Sequence, residues 1–305
     1  MVAWFGGEHA ATRQSHEDLL PEPVAPAALS PVDYLLALRR SADNWPAVLG
    51  RVMARRLLSV HTPVYVRTRR GSWLQVPARD RGGWWAVIEV LAADSYHLGR
   101  LPPDSLATCV DVGANLGGFA VATAERFPRV QVLAFEASRR VCAHLRANVA
   151  RSRLEQRVTV HWGAVTGSGA PPEVVLWDDP WKSAQNSILP PSGGAPRHRA
   201  TAVPVPAISL EDVMAEARGA VDLLKVDVEG AEYEIFGTTP SQALAGVSRA
   251  VVEYHPVQGH SPLELAASLA RAGLRCVRHE SVPSCEGLGV MWFEQQQGAR
   301  NARSW

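Results

Sequence analysis

The sequence is poor in cysteine and carries almost no net charge. Its four cysteines are Cys109, Cys142, Cys276 and Cys285, and none of them forms a C-x-x-C pair. Such isolated cysteines predict reduced core thiols and argue against a zinc site or a disulfide framework. Lys and Arg total 31 and Asp and Glu total 30, so the chain offers no charged surface for nucleic acid.

Long apolar segments are missing as well. No apolar run approaches the ~20 residues that span a bilayer, and the N-terminus lacks the basic start and apolar stretch of a signal peptide. We therefore expect a cytoplasmic protein without a membrane partner. With 305 residues and a hydrophobic content of 47%, the chain has enough apolar material for a buried core.

The chain divides into three parts by pattern. Residues 1–62 combine an arm rich in Ala, Pro and Glu with two helical stretches, one opening at Pro31 and one at Trp45–Leu58. Residues 63–294 hold a hairpin and then the main domain, and residues 295–305 form a polar tail. Because the N-terminal helices have no place in a central sheet, we expect them to form a lid or a contact between two copies of the chain.

Apolar runs alternate with helical stretches from residue 108 onward, which is typical of a parallel sheet. The predicted strands are Thr108–Val112, Val130–Phe135, Val158–Trp162, Val221–Val226, Ala250–Tyr254, Leu274–Val277 and Leu288–Phe293, with helices at 118–127, 138–150, 208–217, 231–236 and 262–272. Continuous apolar runs suit strands covered on both faces. The fold class predicted is α/β, a doubly wound, mostly parallel seven-stranded sheet of Rossmann-like type, with an inserted flap at Val174–Trp177.

A glycine-rich turn follows the first strand of this sheet and opens a helix. Within Asp111–Phe119, Gly113 and Gly117 let the backbone turn sharply and approach a ligand, and ligands of such sheets bind beyond the carboxyl ends of the strands. Glu136 ends the next strand, where a carboxylate can accept hydrogen bonds from both hydroxyls of a ribose. The two features together predict a nucleoside-binding site.

Two residues distinguish between nucleosides. Asn115 stands where the dinucleotide fingerprint G-x-G-x-x-G has its second glycine, the position that brings backbone against pyrophosphate. Asp111 could pair with an ammonium group, which S-adenosylmethionine carries on its methionine part. We therefore expect S-adenosylmethionine rather than NAD as the cofactor. The residues expected to hold it are Asp111, Gly113, Asn115, Gly117, Glu136, Ala137, Gly163, Ala164 and Asp227.

The chain resembles the FkbM family of methyltransferases over roughly residues 64–293. The matching motifs are Asp111–Gly117, Phe135-Glu136, Leu145 with Asn148, Val252–His255 and, above all, Leu224–Glu232. The family is named for an enzyme that methylates a hydroxyl of a macrolide. The resemblance implies a class I methyltransferase fold and O-methylation of a small molecule, of natural-product or sugar type, in secondary metabolite biosynthesis. Ala137 departs from the family, which often has proline there.

Four residues at the ends of two neighbouring strands are expected to surround the transferred methyl. They are Asp227, Glu229, Glu253 and His255. Methyl transfer from a sulfonium needs mainly alignment and removal of the hydroxyl proton, and His255 has the intrinsic pKa of a general base near neutral pH. Lys225 either pairs with Asp227 on the same side of its strand or contacts substrate. Trp181 and Ser187, the latter at a position where the family often has serine, are expected to line the substrate pocket.

Several alternatives stay open. A divalent cation held by Asp227 and Glu253, such as magnesium, could lower the pKa of the hydroxyl, but a metal-free reaction is favoured because no third protein ligand stands out. The acceptor could also be a nitrogen or a carboxylate, since a fold does not fix its substrate. The rivals outside methyl transfer are a NAD-dependent oxidoreductase and a non-catalytic binding protein.

Overall fold

The computed structural model describes residues 19–24, 31–58, 62–190, 200–218, 220–283 and 285–296. Most of the expected N-terminal arm and of the polar tail therefore lies outside the described residues. The short described part of the arm runs along the edge of the molecule, where Val24 N donates to His279 O at 2.9 Å. None of the helices in the described part of the chain has both the length and the apolar character that crossing a bilayer requires.

Two helices and a hairpin form an N-terminal layer, as expected. They are α1 (Pro31–Ser41), α2 (Trp45–Leu58), β1 (Val64–Arg67) and β2 (Trp73–Val76). Leu38 of α1 and Val48 of α2 are buried in the same apolar core as Val64. The outer faces of the helices leave Val32 and Leu57 in solvent, at 63% and 70% exposure. The layer is therefore joined to the main core on one side, while its outer side carries both apolar and charged side chains, among them Arg39 and Arg51.

The next helix is not among those that the sequence pattern predicts. Helix α3 (Arg81–Ile88) begins after Asp80, whose side chain accepts a hydrogen bond from Gly83 N and so caps the helix. One π-helical turn, Glu89–Ala93, extends it and ends at Asp94 in the left-handed conformation. Single π turns inside helices are frequent at functional sites.

Ten more strands follow in the described part of the chain. They are β3 (Thr108–Val112), β4 (Gln131–Glu136), β5 (Val158–Trp162), β6 (Ala164–Thr166), β7 (Glu173–Asp178), β8 (Thr201–Ser209), β9 (Leu223–Val226), β10 (Arg249–Tyr254), β11 (Leu274–Ser281) and β12 (Gly289–Gln295). Seven of these described strands form the central sheet, in the order β11-β12-β10-β9-β3-β4-β5. Strand β12 runs antiparallel to both of its neighbours. This arrangement confirms the predicted doubly wound, mostly parallel seven-stranded sheet.

Helices cover both faces of this sheet. They are α4 (Gly118–Arg126), α5 (Arg139–Arg151), α6 (Leu210–Glu216), α7 (Glu232–Thr238) and α8 (Pro262–Arg271). Successive side chains of a strand point to opposite faces, so Cys109 packs in the core that holds Leu145 while Val110 packs in the core that holds Leu210. Burial on both faces explains why the strands read as continuous apolar runs.

The segment expected to form a flap belongs to a second sheet. Strand β7 pairs antiparallel with β8, and β8 pairs parallel with β6. Neither β6 nor β8 is predicted from the sequence. Pro204 and Pro206 lie within β8, and proline argues against a strand because it cannot donate to the ladder. This small sheet extends the molecule beside the carboxyl end of β5.

Candidate active site

A cavity of about 630 Å³ opens at the carboxyl ends of β3, β4, β9 and β10. Gly113, Glu136, Asp227 and Glu253 contribute to its walls from these four strand ends. The opposite wall comes from helix α3, its π turn and the short helical turn Ser183–Gln185. The volume lies within the roughly 300–1,000 Å³ range of small-molecule sites, and its position is the one where open α/β sheets bind ligands.

The glycine-rich turn brings two strand ends into backbone contact. Gly113 has a φ of +76°, and a Cβ atom there would lie 1.8 Å from Asp227 O, so only glycine fits. Gly113 and Asn115 line the cavity as predicted. Gly117, predicted to contact the cofactor, is instead the residue before α4 and lies behind the lining, where a Cβ would meet Leu145 Cδ1 at 2.6 Å.

Glu136 is the acidic residue predicted for a ribose, and it lines the cavity with only 6% of its surface exposed. Its Oε2 accepts a hydrogen bond from Asn115 N at 2.9 Å and its Oε1 accepts one from Ser138 N at 2.7 Å. Burial raises the pKa of the carboxyl to about 7, against the lowering effect of these two hydrogen bonds. A carboxylate can accept about four hydrogen bonds, so both oxygens retain capacity for a ligand. The predicted Ala137, Gly163 and Ala164 also line the cavity.

Lys225 forms the ion pair with Asp227 that was one of its two expected roles, whereas Asp111 does not line the cavity as expected of a cofactor contact. Asp111 is fully buried, and its Oδ1 pairs with Lys225 Nζ at 3.2 Å. Lys225 Nζ also donates to Gly113 O at 2.8 Å and lies 3.5 Å from Asp227 Oδ2. Burial lowers the pKa of Lys225, but the two carboxylates outweigh burial and hold the pKa above its ordinary value. The pair of Asp111 and Lys225 is therefore buried beneath the cavity and outside its lining.

Tyr96 joins two carboxylates at the floor of the cavity. Its hydroxyl oxygen lies 3.1 Å from Asp227 Oδ2 and 2.8 Å from Glu253 Oε2. Burial, followed by the charge of Asp227, raises the pKa of Glu253 to about 8. Glu89 of the π turn also lines the cavity, and burial and Asp227 raise its pKa too. Ionising Asp227, Glu253 and Glu89 together in this part of the cavity would therefore cost free energy.

His255 lies among three carboxylates. Its Nδ1 is 3.0 Å from Glu232 Oε1, and its Nε2 is 3.7 Å from Glu229 Oε1 and 3.9 Å from Asp227 Oδ1. Burial lowers the pKa of His255, but the hydrogen bond and charge of Glu232 and the charges of the other two carboxylates hold it well above its usual range. The structure therefore brings His255, Asp227, Glu229 and Glu253 together as predicted, and the carboxylates around His255 favour its protonated form.

Asp227, Glu229 and His255 also offer one ligand atom each within 4.8 Å of one another. This spacing could hold a divalent cation, and the set differs from the predicted pair of Asp227 with Glu253. Glu253 instead contacts Tyr96. His255 in its protonated form would balance part of the negative charge of these carboxylates.

The wall opposite the strand ends, which we call the upper wall, contains residues that the sequence pattern does not predict. Gly82, Trp85, Glu89 and Val90 line the cavity from α3 and its π turn, at the spacing of one helical face. Asp80 before Arg81 was the available signal of a helix start. Ser187 lines the cavity as predicted and donates to Glu229 O at 2.7 Å. Trp181 lies outside the lining, with the guanidinium of Arg79 5.6 Å from its ring.

A family model for the methyltransferase FkbM domain matches residues 111–276. The chain belongs to the FkbM methyltransferase family. The match contains both the glycine-rich turn and the carboxylates of β9 and β10, and it ends before β12. It does not contain Tyr96 and Glu89, which lie N-terminal to it.

Known proteins show more distant similarity. The AMB antimetabolite synthetase AmbE of Pseudomonas aeruginosa is 30% identical over 203 residues, which are 55% of this chain but 9% of that protein. The crystal structure of a methyltransferase FkbM from Methylobacillus flagellatus is 13% identical, with a TM-score of 0.45. The similarity covers 86% of this chain and 58% of that chain. TYW2 of P. horikoshii, in complex with MeSAdo, has 11% identity, 81% coverage of both chains and a TM-score of 0.46. Neither structure bears on the activity of this chain.

Proposed function

We propose that this methyltransferase uses S-adenosylmethionine and transfers its methyl group to a hydroxyl of a small molecule. The observation that carries the proposal is the division of one cavity into two chemically different ends. Glu136, with spare acceptor capacity, stands at the end of β4, and the carboxylates with His255 stand at the ends of β9 and β10. The first end suits a ribose, and the second suits a cationic methyl donor and a proton transfer.

The cofactor fits the charges of the site. Bound S-adenosylmethionine supplies a methyl group activated on a positively charged sulfonium. Glu136 would accept the ribose hydroxyls, and the Gly113 turn would allow backbone to approach the methionine part. Asp227 and Glu229 would face the sulfonium, since opposite charges within a few ångströms attract strongly in a partly buried site.

Proton removal falls to a carboxylate in this proposal rather than to His255. An imidazolium has no lone pair to accept a proton, and the surrounding carboxylates raise the pKa of His255 and so favour that form. Asp227 Oδ2 is held by Tyr96 and Lys225, while Asp227 Oδ1 lies on the side of His255. Asp227 would therefore receive the hydroxyl proton, and His255 would hold Asp227 and Glu229 in place by charge.

Calorimetry with S-adenosylmethionine and with NAD tests the cofactor. We expect binding of the first and none of the second, because Asn115 occupies the position where pyrophosphate needs glycine. Binding of NAD alone would contradict the proposal and favour an oxidoreductase. Binding of neither would favour a non-catalytic protein that keeps the fold.

The acceptor group is tested with three compounds of one skeleton and methyl-labelled S-adenosylmethionine. We expect label on 2-phenylethanol and none on 2-phenylethylamine or phenylacetic acid. Label on the amine or the acid would show N- or carboxylate methylation instead. The same assay after thorough chelation tests the metal-free reaction, which predicts unchanged turnover, whereas loss of turnover restored by magnesium would assign a cation to the carboxylates.

A further inference from the structure

The two contacts of the Tyr96 hydroxyl require one more proton than Tyr96 itself carries. If Asp227 and Glu253 are both ionised, neither can supply that proton. A phenol carries one proton, yet its oxygen lies within hydrogen-bond distance of Asp227 Oδ2 at 3.1 Å and of Glu253 Oε2 at 2.8 Å. Two ionised carboxylates can only accept, so one of these two contacts would be a repulsion between oxygen atoms. Both contacts become hydrogen bonds when one of the two carboxyl groups is protonated.

The neighbours decide which carboxyl group holds the proton. The ammonium of Lys225 lies 3.5 Å from Asp227 Oδ2 and favours an ionised Asp227. Glu253 is buried at the carboxyl end of β10 and faces Asp227 and Glu89, while His255 is the opposing positive charge. Burial with like charges favours a neutral carboxyl. His255, a hydrogen bond donated by Tyr96 and the more distant cation of Lys225 oppose this effect. Burial is the largest of these effects, and together with Asp227 and Glu89 it leaves the neutral form of Glu253 favoured.

We propose that Tyr96 is a positioning residue that bridges a protonated Glu253 and an ionised Asp227, and that this bridge fixes Asp227 as the proton acceptor of the reaction. Glu253 donates its proton to the oxygen of Tyr96, and Tyr96 donates its own to Asp227 Oδ2. Asp227 Oδ1 is thereby directed to the acceptor hydroxyl. This inference rests on the function proposed above and names the arrangement that removes the proton.

The reaction balances in this arrangement. The acceptor oxygen forms a bond to the methyl carbon while the bond from that carbon to sulfur breaks and its electron pair stays on sulfur. The proton of the acceptor hydroxyl passes to Asp227 Oδ1. The positive charge of the sulfonium is lost as one negative charge on Asp227 is lost, so the net charge of the site is unchanged.

The packing of Tyr96 is suited to positioning. Its ring meets Phe119 edge to face, with centroids 5.3 Å apart, and Lys225 Nζ lies 5.8 Å from the ring centroid. Its backbone carbonyl accepts a hydrogen bond from Trp292 Nε1 at 3.4 Å. The flanking His97 is in the left-handed conformation and stacks on Trp292. The hydroxyl is therefore held by the core on one side and points at the two carboxylates on the other.

Carbon-13 NMR of the glutamate side-chain carboxyl groups tests the bridge on the full chain without ligand. We expect one protonated glutamate carboxyl near neutral pH, and its signal should be missing in Glu253→Gln. Tyr96→Phe should lower the titration midpoint of this signal, because the acid loses the acceptor of its proton. Tyr254→Phe removes another buried hydroxyl, bonded to His279 at 2.7 Å, and should leave the midpoint in place. Ionisation of every glutamate, or an unchanged or raised midpoint in Tyr96→Phe, overturns the proposal.

Kinetics with methyl-labelled S-adenosylmethionine and the hydroxyl acceptor provide the second readout. Tyr96→Phe should lower kcat about tenfold or more while the affinity for S-adenosylmethionine and KM stay within about twofold. Glu253→Gln, which keeps a neutral donor, should recover most of the kcat lost in Glu253→Ala. Equal losses in these two Glu253 variants overturn the proposal even if Tyr96→Phe does not fold. A wild type that binds no S-adenosylmethionine defeats the proposed function but leaves the NMR result standing.

Discussion

At the scale of single residues, Glu136 shows how one side chain both closes a turn and keeps a binding capacity. Its two oxygens accept the backbone N–H groups of Asn115 and Ser138, which ties the ends of β3 and β4 to one carboxylate. Hydrogen bonds to a charged group contribute about 1.5–3 kcal/mol each. The same oxygens would accept hydrogen bonds from a ribose, so Glu136 can both hold the two strand ends together and bind the cofactor.

Replacing Glu136 by Ala should weaken binding of S-adenosylmethionine about 30-fold or more, equivalent to about 2 kcal/mol, because two charge-assisted hydrogen bonds to the ribose are lost. Calorimetry on the variant and the wild type measures the ratio. Circular dichroism controls for folding, since the variant also frees two backbone donors. Wild-type affinity in a folded Glu136→Ala protein would show that Glu136 does not bind the ribose.

The pKa of Glu136, raised by burial to about 7, predicts a pH dependence of binding. Below that pH the free protein holds this carboxyl protonated, and the cofactor must displace the proton to gain two acceptors. Affinity should therefore fall about tenfold per pH unit as pH decreases below about 7. The affinity for S-adenosylmethionine is measured against pH in the wild type and in Glu136→Gln, whose side chain does not titrate. Parallel pH profiles of the two proteins would exclude Glu136 as the titrating group.

Residue roles at the cavity could be predicted only where a motif fixed both position and direction. The turn at Gly113 and the strand end at Glu136 do line the cavity, and their contact with a cofactor stays a prediction. Asp111 lies outside the lining because its charge and its place near a strand end do not reveal its partner, which is Lys225. Tyr96 was missed because the segment that carries it has no periodicity that reveals its contact with β10.

At the scale of elements, Asp80 joins the two pieces of the upper wall. Its Oδ1 accepts from Gly83 N at 2.9 Å and from Ser183 N at 3.1 Å. The first contact caps α3 and the second holds the turn that follows β7. Gly82 lets these pieces approach, since a Cβ there would lie 2.9 Å from Ala184 N. One buried carboxylate therefore sets the distance between α3 and this turn.

Asp80→Ala should lower the free energy of unfolding by about 1–3 kcal/mol, because a cap and a second buried donor lose their acceptor. It should also weaken S-adenosylmethionine binding, since both pieces line the cavity. Ser209→Ala is the matched control, because Ser209 caps α6 by accepting from Asp212 N at 3.1 Å, away from the lining. Denaturant unfolding and calorimetry separate the effects. Equal binding by both variants would mean that the cap does not shape the cavity.

The element pattern explains what the sequence could and could not predict. The strands of the central sheet are apolar along their whole length, which a buried parallel sheet requires, and they were predicted. Strand β8 was not, since Pro204 and Pro206 break the pattern of a paired strand. Helix α3 was not, because Gly82, Gly83 and the paired tryptophans Trp84 and Trp85 lower its helix propensity.

At the scale of the whole molecule, the N-terminal layer shares the core of the main domain. Leu38, Ala42 and Val48 are buried with Val64 and with Cys109 of the central sheet in one apolar cluster. Burial of each such side chain contributes about 1.5–3 kcal/mol. The helices therefore act as part of the folding unit, and the domain boundary predicted at residue 62 stays a prediction.

Deletion of residues 1–62 should lower the midpoint of thermal unfolding by several degrees and reduce turnover, because the hairpin and the π turn lose their cover. Scanning calorimetry and the methyl-transfer assay measure the two effects. Deletion of residues 1–18 is the control, since it leaves α1 and α2 in place. Sedimentation of the full chain tests whether the exposed Val32 and Leu57 mediate a homo-oligomer, which we expect because both side chains are apolar and exposed. A truncated protein with full stability and turnover would contradict the first expectation.

The close approach of Gly113 to Asp227 O means that positions around the cavity differ in how well they tolerate substitution. Any side chain at Gly113 would collide with the backbone of Asp227, directly after β9, so selection should remove substitutions at Gly113. The upper wall, with the exposed Trp85 at 49% exposure, carries no such constraint at that position. Laboratory evolution toward new acceptors should therefore accept substitutions at Trp85 and leave Gly113 invariant.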